Sequence, residues 1–111
     1  MSIFVSGTAT AYDESGNDIV QGCEAAAAFR FPTANLSSTT VSNGWVCLGE
    51  VQATEYMMQI HHDLCLPSVN VTVGQSMRVA TKYMEDHPAE LEEKFPELIF
   101  RAFREAWPCP K

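Results

Sequence analysis

Between Arg30 and Arg78 the chain contains no lysine or arginine. That gap and a formal net charge of −7 exclude nucleic acid as a partner, since its phosphates would meet a repelling field. Up to Met77, Arg30 stands against Asp13, Glu14, Asp18, Glu24, Glu50, Glu55 and Asp63, one cation against seven acids, a balance of −6. From Arg78 onward six cations meet seven acids, leaving −1. Such a field serves solubility, and it equally suits capture of a basic partner.

Long apolar runs are missing too, so no segment spans a bilayer and no membrane partner is expected. The start, Met1-Ser2-Ile3-Phe4-Val5-Ser6-Gly7, has neither the basic residues nor the apolar stretch of a secretory leader. The four cysteines nevertheless predict export, with the leader absent from this sequence and Met1 added or reassigned.

No C-x-x-C pair occurs, which disfavours a zinc site or a redox thiol. No glycine-rich phosphate loop occurs either. Serines concentrate in turns, and no nucleophile is set beside a base and an orienting group. None of the acids sits in an apolar context that would raise its pKa. Catalytic residues, cofactors and metals are therefore not expected. His61-His62-Asp63, with Cys65 nearby, is the one stretch that invites a metal. Adjacent histidines point about 100° apart on a helix, so a solvated helix end at the negative pole of the dipole is the preferred reading. His87, before a proline, reads as a loop residue or a helix-end cap.

What remains is a helical pattern. Apolar residues make up 46% and charged residues 19% of 111 residues, which suits one globular domain rather than a disordered chain. We expect a flexible segment over 1–15 and one helical domain over 16–110. Ser15-Gly16-Asn17-Asp18 is a turn cluster able to cap a helix running from Asp18 to Phe29, through Ala25-Ala26-Ala27-Ala28. Residues 31–40 are rich in hydroxyls, contain Pro32 and read as a loop. A second helix is predicted from Ser42-Asn43-Gly44 to about His62, with Cys47, Leu48, Val51, Tyr56 and Met58 as its apolar stripe. Thr72-Val73-Gly74-Gln75 matches a capping box, and Val73, Met77, Ala80 and Met84 mark the buried face behind it. His87-Pro88 breaks that helix. Residues 89–94 read as one loose turn. Pro96 belongs in the first turn of a last helix, whose face is Leu98, Ile99, Ala102, Phe103, Ala106 and Trp107. No stretch after residue 16 alternates with period two. The predicted fold is all-α, a small bundle of four to five short helices.

Four cysteines permit three pairings. Cys23–Cys47 with Cys65–Cys109 is preferred. The first ties the first two helices together. The second joins the outer ends of the last helical hairpin, which must approach if its helices pack antiparallel. Two disulfides would then staple the bundle.

The elements Cys65-Leu66-Pro67, Val71-Thr72-Val73-Gly74-Gln75, Val79 to Tyr83, His87-Pro88 and Ala102-Phe103-Arg104-Glu105-Ala106-Trp107-Pro108-Cys109-Pro110 together resemble the Rap/Tai immunity proteins of type VI secretion. Upstream, Cys23 and Cys47-Leu48-Gly49 resemble that family's earlier cysteines. The resemblance covers roughly residues 16 to 110. It implies a small exported helical protein of the periplasm, often a homodimer. Such a protein binds a cognate peptidoglycan amidase effector delivered by a sibling cell and blocks its cleft, with no catalytic residue of its own. The motifs are mostly scaffold, so contact residues are chosen from charge and loop position. Glu50, Glu55 and Asp63 come first, Glu90, Glu92 and Glu93 second. A partly exposed Phe100 is a candidate for a dimer contact. The alternative is a periplasmic acid-stress chaperone of the Hde type, suggested by 14 acidic groups and five methionines. An adaptor with no toxin beside its gene is a third.

Overall fold

The computed structural model describes residues 14–28, 35–67 and 70–111. Among these, four α-helices form, with no strand: α1 Gly16–Ala27, α2 Ser38–Ile60, α3 Val73–Asp86 and α4 Phe95–Ala106. A 3-10 turn, Pro88–Glu90, joins the last two.

Each start has a local cause. Ser15 Oγ accepts from Asp18 N while Ser15 N donates to Asp18 Oδ2, a reciprocal cap. It pulls α1 back to Gly16, two residues before the expected start. The expected end at Phe29 lies outside the described residues. Ser37 Oγ accepts from Thr40 N at 3.1 Å, so α2 begins at Ser38, inside the stretch read as loop. Hydroxyl residues compete with the helix ladder in an interior, but at the first turn they satisfy its orphan N–H groups. Thr72 Oγ1 accepts from Gln75 N at 3.0 Å and starts α3. Pro96 sits in the first turn of α4.

α1 and α2 cross in direct backbone contact. A Cβ on Gly22 would lie 2.6 Å from the Asn43 carbonyl carbon and 2.7 Å from Gly44 N. Asn43 Nδ2 donates to the Asp18 carbonyl at 3.0 Å beside this crossing. Cys23 and Cys47, both fully buried, are joined there, with Cα atoms 5.5 Å apart. The second disulfide joins Cys65 to Cys109, and Cys65 N donates to the Trp107 carbonyl at 3.1 Å. Both preferred pairings are present.

The 89–94 segment, expected as one loose turn, begins in the 3-10 turn and is tied to α1. Gly16 N donates to the Glu93 carbonyl and Asn17 N to the Leu91 carbonyl, so it receives the free donors of the α1 start. Phe95 N in turn donates to the Glu14 carbonyl. Glu14 and Ser15, expected in the loose start, are held by this strap. Residues 1–13 lie outside the described residues.

The core is one cluster fed by every helix: Ile19 and Cys23 from α1, Val51 and Met58 from α2, Met77 and Met84 from α3, Phe95, Leu98, Ile99 and Phe103 from α4. Three expected core residues turn outward. Val73 stands in the first turn of α3, whose buried face is Ser76, Met77, Ala80, Thr81 and Met84. Tyr56 is about 140° round α2 from buried Val51, which puts it in solvent. Ala106 is exposed because α3 and α4 leave between them an open groove of about 480 Å³, lined by Val79, Tyr83, Ala102 and Ala106. Trp107 is half-buried, its ring centroid 5.7 Å from that of Phe103.

Candidate functional site

The six acids singled out as contacts do not converge. Three lie along α2 and its exit, and three lie on the strap before α4. Glu55 is turned inward: its carboxylate accepts the hydroxyl proton of Ser76, which is 1% exposed on α3. Glu50 is half-buried on α2. Asp63 is exposed, in a loop fixed by its own N–H donating to the Met58 carbonyl at 2.8 Å. The loop turns on His62, whose φ of 61° is left-handed. Asp63 and His61 border a groove of about 360 Å³ whose walls are mainly apolar, from Ala53, Met57, Pro96 and Phe100. Phe100, half-buried there, has the Arg104 guanidinium 5.4 Å from its ring centroid.

On the strap, Glu90 accepts from the Tyr83 hydroxyl at 2.8 Å and from Arg101 Nη1 at 3.1 Å. The Tyr83 bond, helped by Arg101, holds the Glu90 carboxyl below the usual glutamate range. Burial, with Glu90 adding to it, pushes the Tyr83 phenol up. Glu93 stands 3.6 Å from Arg101 Nη2. Glu90 and Glu93 therefore fasten the strap to α4 and face each other across one guanidinium. Glu92 is exposed. His87 ends α3, stacked on Tyr83 at 4.0 Å, with its Nδ1–H donating to the Tyr83 carbonyl at 2.8 Å.

One acid departs from the expectation that none would have a raised pKa. Glu24 on α1 is pushed up, first by burial and then by Glu85 on α3, to which it is hydrogen-bonded. The two carboxylates sit far apart in sequence and meet only when α1 packs on α3. Arg78 and Lys82 line the same crevice.

Cys65 is committed to a disulfide, so it has no thiolate to add to His61, His62 and Asp63. Among the described residues no group of three or more histidine, cysteine or acidic side chains is placed to hold a metal.

A surface that sequence patterning missed runs along α2. Trp45 is 55%, Tyr56 64% and Ile60 49% exposed. Tyr56 belongs to the apolar stripe expected of α2, yet it faces solvent. The available signal was the absence of charge on that face.

Among the described residues no helix is long and apolar enough to cross a membrane. Two disulfides are consistent with an extracytoplasmic location. No curated protein and no solved structure matches the chain. The family model of the Rap1a immunity proteins matches residues 15–109, a span that opens at the Ser15 cap and closes on the outer disulfide. The chain therefore belongs to the Rap1a immunity protein family.

Proposed function

We propose that this chain is a periplasmic immunity protein of type VI secretion, which binds a cognate peptidoglycan amidase effector and blocks it by occupancy. The family match over residues 15–109 is the observation that carries the reading. Its physical setting supports it. Two disulfides and a strap bonded to α1 hold the scaffold rigid before binding, which lowers the ordering cost of a tight complex. The excess of −6 up to Met77 would speed the approach of a basic effector. Asp63 and Glu92, whose side chains are exposed, are the contact candidates most open to a partner. Glu55, Glu90 and Glu93 would act through the shape they maintain.

The test is a peptidoglycan-cleavage assay with the amidase encoded beside this chain's gene, titrated with the oxidised protein. Stoichiometric inhibition at nanomolar concentration is expected. An amidase that cleaves at its full rate under excess protein would reject the reading.

A further inference from the structure

We propose that Cys65–Cys109 is a redox-sensitive clasp. Closed, it keeps the last turn of α4 in its rigid, binding-ready place; a dithiol reductant opens it, leaves Cys23–Cys47 shut, and the chain then holds its effector less tightly. This rests on the immunity reading and adds how that binding is regulated.

Access is the first observation. Cys23 and Cys47 are both 0% exposed and lie where α1 crosses α2. The backbones are so close there that a Cβ on Gly22 would lie 2.6 Å from the Asn43 carbonyl carbon. A thiol therefore reaches the inner sulfurs only if the two helices part. Cys65 is exposed and Cys109 half-buried. Exchange requires a thiolate to reach a disulfide sulfur, so the outer bridge is the one open to attack.

What the bridge holds is the second. Arg104, Glu105 and Ala106, the last turn of α4, are exposed, so burial does not fix them. Trp107 is half-buried against Phe103. Cys65 N donates to the Trp107 carbonyl at 3.1 Å. Among the described residues no hydrogen bond or ion pair holds residues 108–111. Pro108 and Pro110 have no N–H with which to make one. A backbone hydrogen bond beside water is a weak tie, so the disulfide is what fastens this end. Leu64 and Phe103, 3% and 0% exposed, stay in the core on either side, which keeps the opening local. Glu105 and Ala106 line the α3–α4 groove, and Asp63, an exposed contact candidate, lies two residues before Cys65. The loosened stretch thus borders surface open to the effector, and a loosened surface must be ordered again on binding.

The exchange balances. A thiolate of the reductant attacks exposed Cys65 and expels the Cys109 thiolate, which takes a proton. The second thiol of the reductant displaces Cys65 as a thiol and closes the reductant's own disulfide. Two electrons and two protons pass to the protein. All four cysteines are paired, so the opened pair has no third thiol to exchange with, and reoxidation restores the same bridge.

Thiol trapping over a dithiothreitol series, then hydrogen exchange of each species by mass spectrometry, tests the clasp on the protein alone. The expected species has Cys65 and Cys109 trapped and Cys23–Cys47 intact. In it residues 104–111 exchange at least about tenfold faster, and the α1–α2 crossing is unchanged. Loss of both bridges together, or an opened species that exchanges like the oxidised one, overturns the proposal. Calorimetric titration of the amidase encoded beside this chain's gene, with reagents removed, reads the binding. The opened form is made twice, as Cys65→Ser with Cys109→Ser and as the trapped wild type, so a variant that fails to fold leaves the other. Its affinity should fall about tenfold. Equal affinity of open and closed forms overturns the regulation and leaves the immunity reading standing. An oxidised protein that neither binds nor inhibits overturns both.

Discussion

Glu55 on α2 and Ser76 on α3 are hydrogen-bonded across the interface of their helices, the serine hydroxyl donating from a site that is 1% exposed. Removing the carboxylate leaves a buried hydroxyl without its acceptor. Glu55→Ala should therefore cost about 1–3 kcal/mol of stability, read as a lower urea midpoint at unchanged slope. A charge reversal at Glu55 would weaken partner binding partly through the fold. Asp63→Lys, at an exposed position, is the cleaner probe of surface charge, and its effect on binding should shrink as salt is raised.

The two disulfides differ in access. Cys23 and Cys47 are fully buried, whereas Cys65 is exposed and Cys109 half-buried. Mild dithiothreitol should open Cys65–Cys109 first, so thiol trapping with mass spectrometry should label Cys65 and Cys109 before the inner pair. Cys109→Ser should cost about 2–5 kcal/mol, since the bridge closes a separation of 44 residues. An unchanged melting temperature would mean that the bridge does not constrain the unfolded chain.

Glycine-to-alanine substitutions should act in opposite directions. At Gly22 the new Cβ would strike the Asn43 backbone at 2.6 Å, where no side chain can swing away. A loss of about 1–3 kcal/mol is expected. At Gly49 the space is open, and alanine should gain up to about 1 kcal/mol through helix propensity. Paired denaturation curves of the two variants check both signs.

Glu24 and Glu85 set a pH dependence. The folded pKa of Glu24 is raised, first by burial and then by Glu85. Its contribution is therefore fully present below the unfolded pKa and is lost as pH rises through the folded one. Glu90, held low by Tyr83, behaves oppositely: its contribution is lost as pH falls through its folded pKa. Glu24→Gln should stabilise the protein near neutral pH and remove the part of the pH profile that favours mild acid. Urea curves from about pH 4 to 8 on both proteins would show it; parallel profiles would deny the pair a role. Arg78 and Lys82, which line the same crevice, should be kept in the variant. Protonation of Glu24 in mild acid would favour the packing of α1 on α3, the reverse of what an acid-unfolding chaperone would need there.

The pieces legible in the sequence are those whose causes lie within a few residues. Thr72 and Gln75 announce the start of α3, His87-Pro88 its end and Pro96 the start of α4. The cysteine positions, outside one hairpin and inside the other, led to both disulfides because antiparallel helices bring those ends together. The start of α2 was misplaced because Ser37-Ser38-Thr39-Thr40 has the composition of a loop, and only the cap geometry distinguishes the two. Val73, Tyr56 and Ala106 were misplaced because periodicity finds an apolar stripe without saying which neighbours reach it.

Sequence by itself determined the class of this protein: helices, breaks, cross-links and a one-sided charge distribution, each a local or compositional property. Tertiary structure decided which carboxylates are committed. Glu55 goes to Ser76, Glu90 and Glu93 to Arg101, and Glu24 to Glu85, all through contacts between separate elements. It also decided that the strap before α4 caps α1 and that Tyr56 and Ile60 of α2 stand exposed. The reason is physical: a carboxylate is written the same way whether it faces water or another helix, and only packing brings its partner within reach.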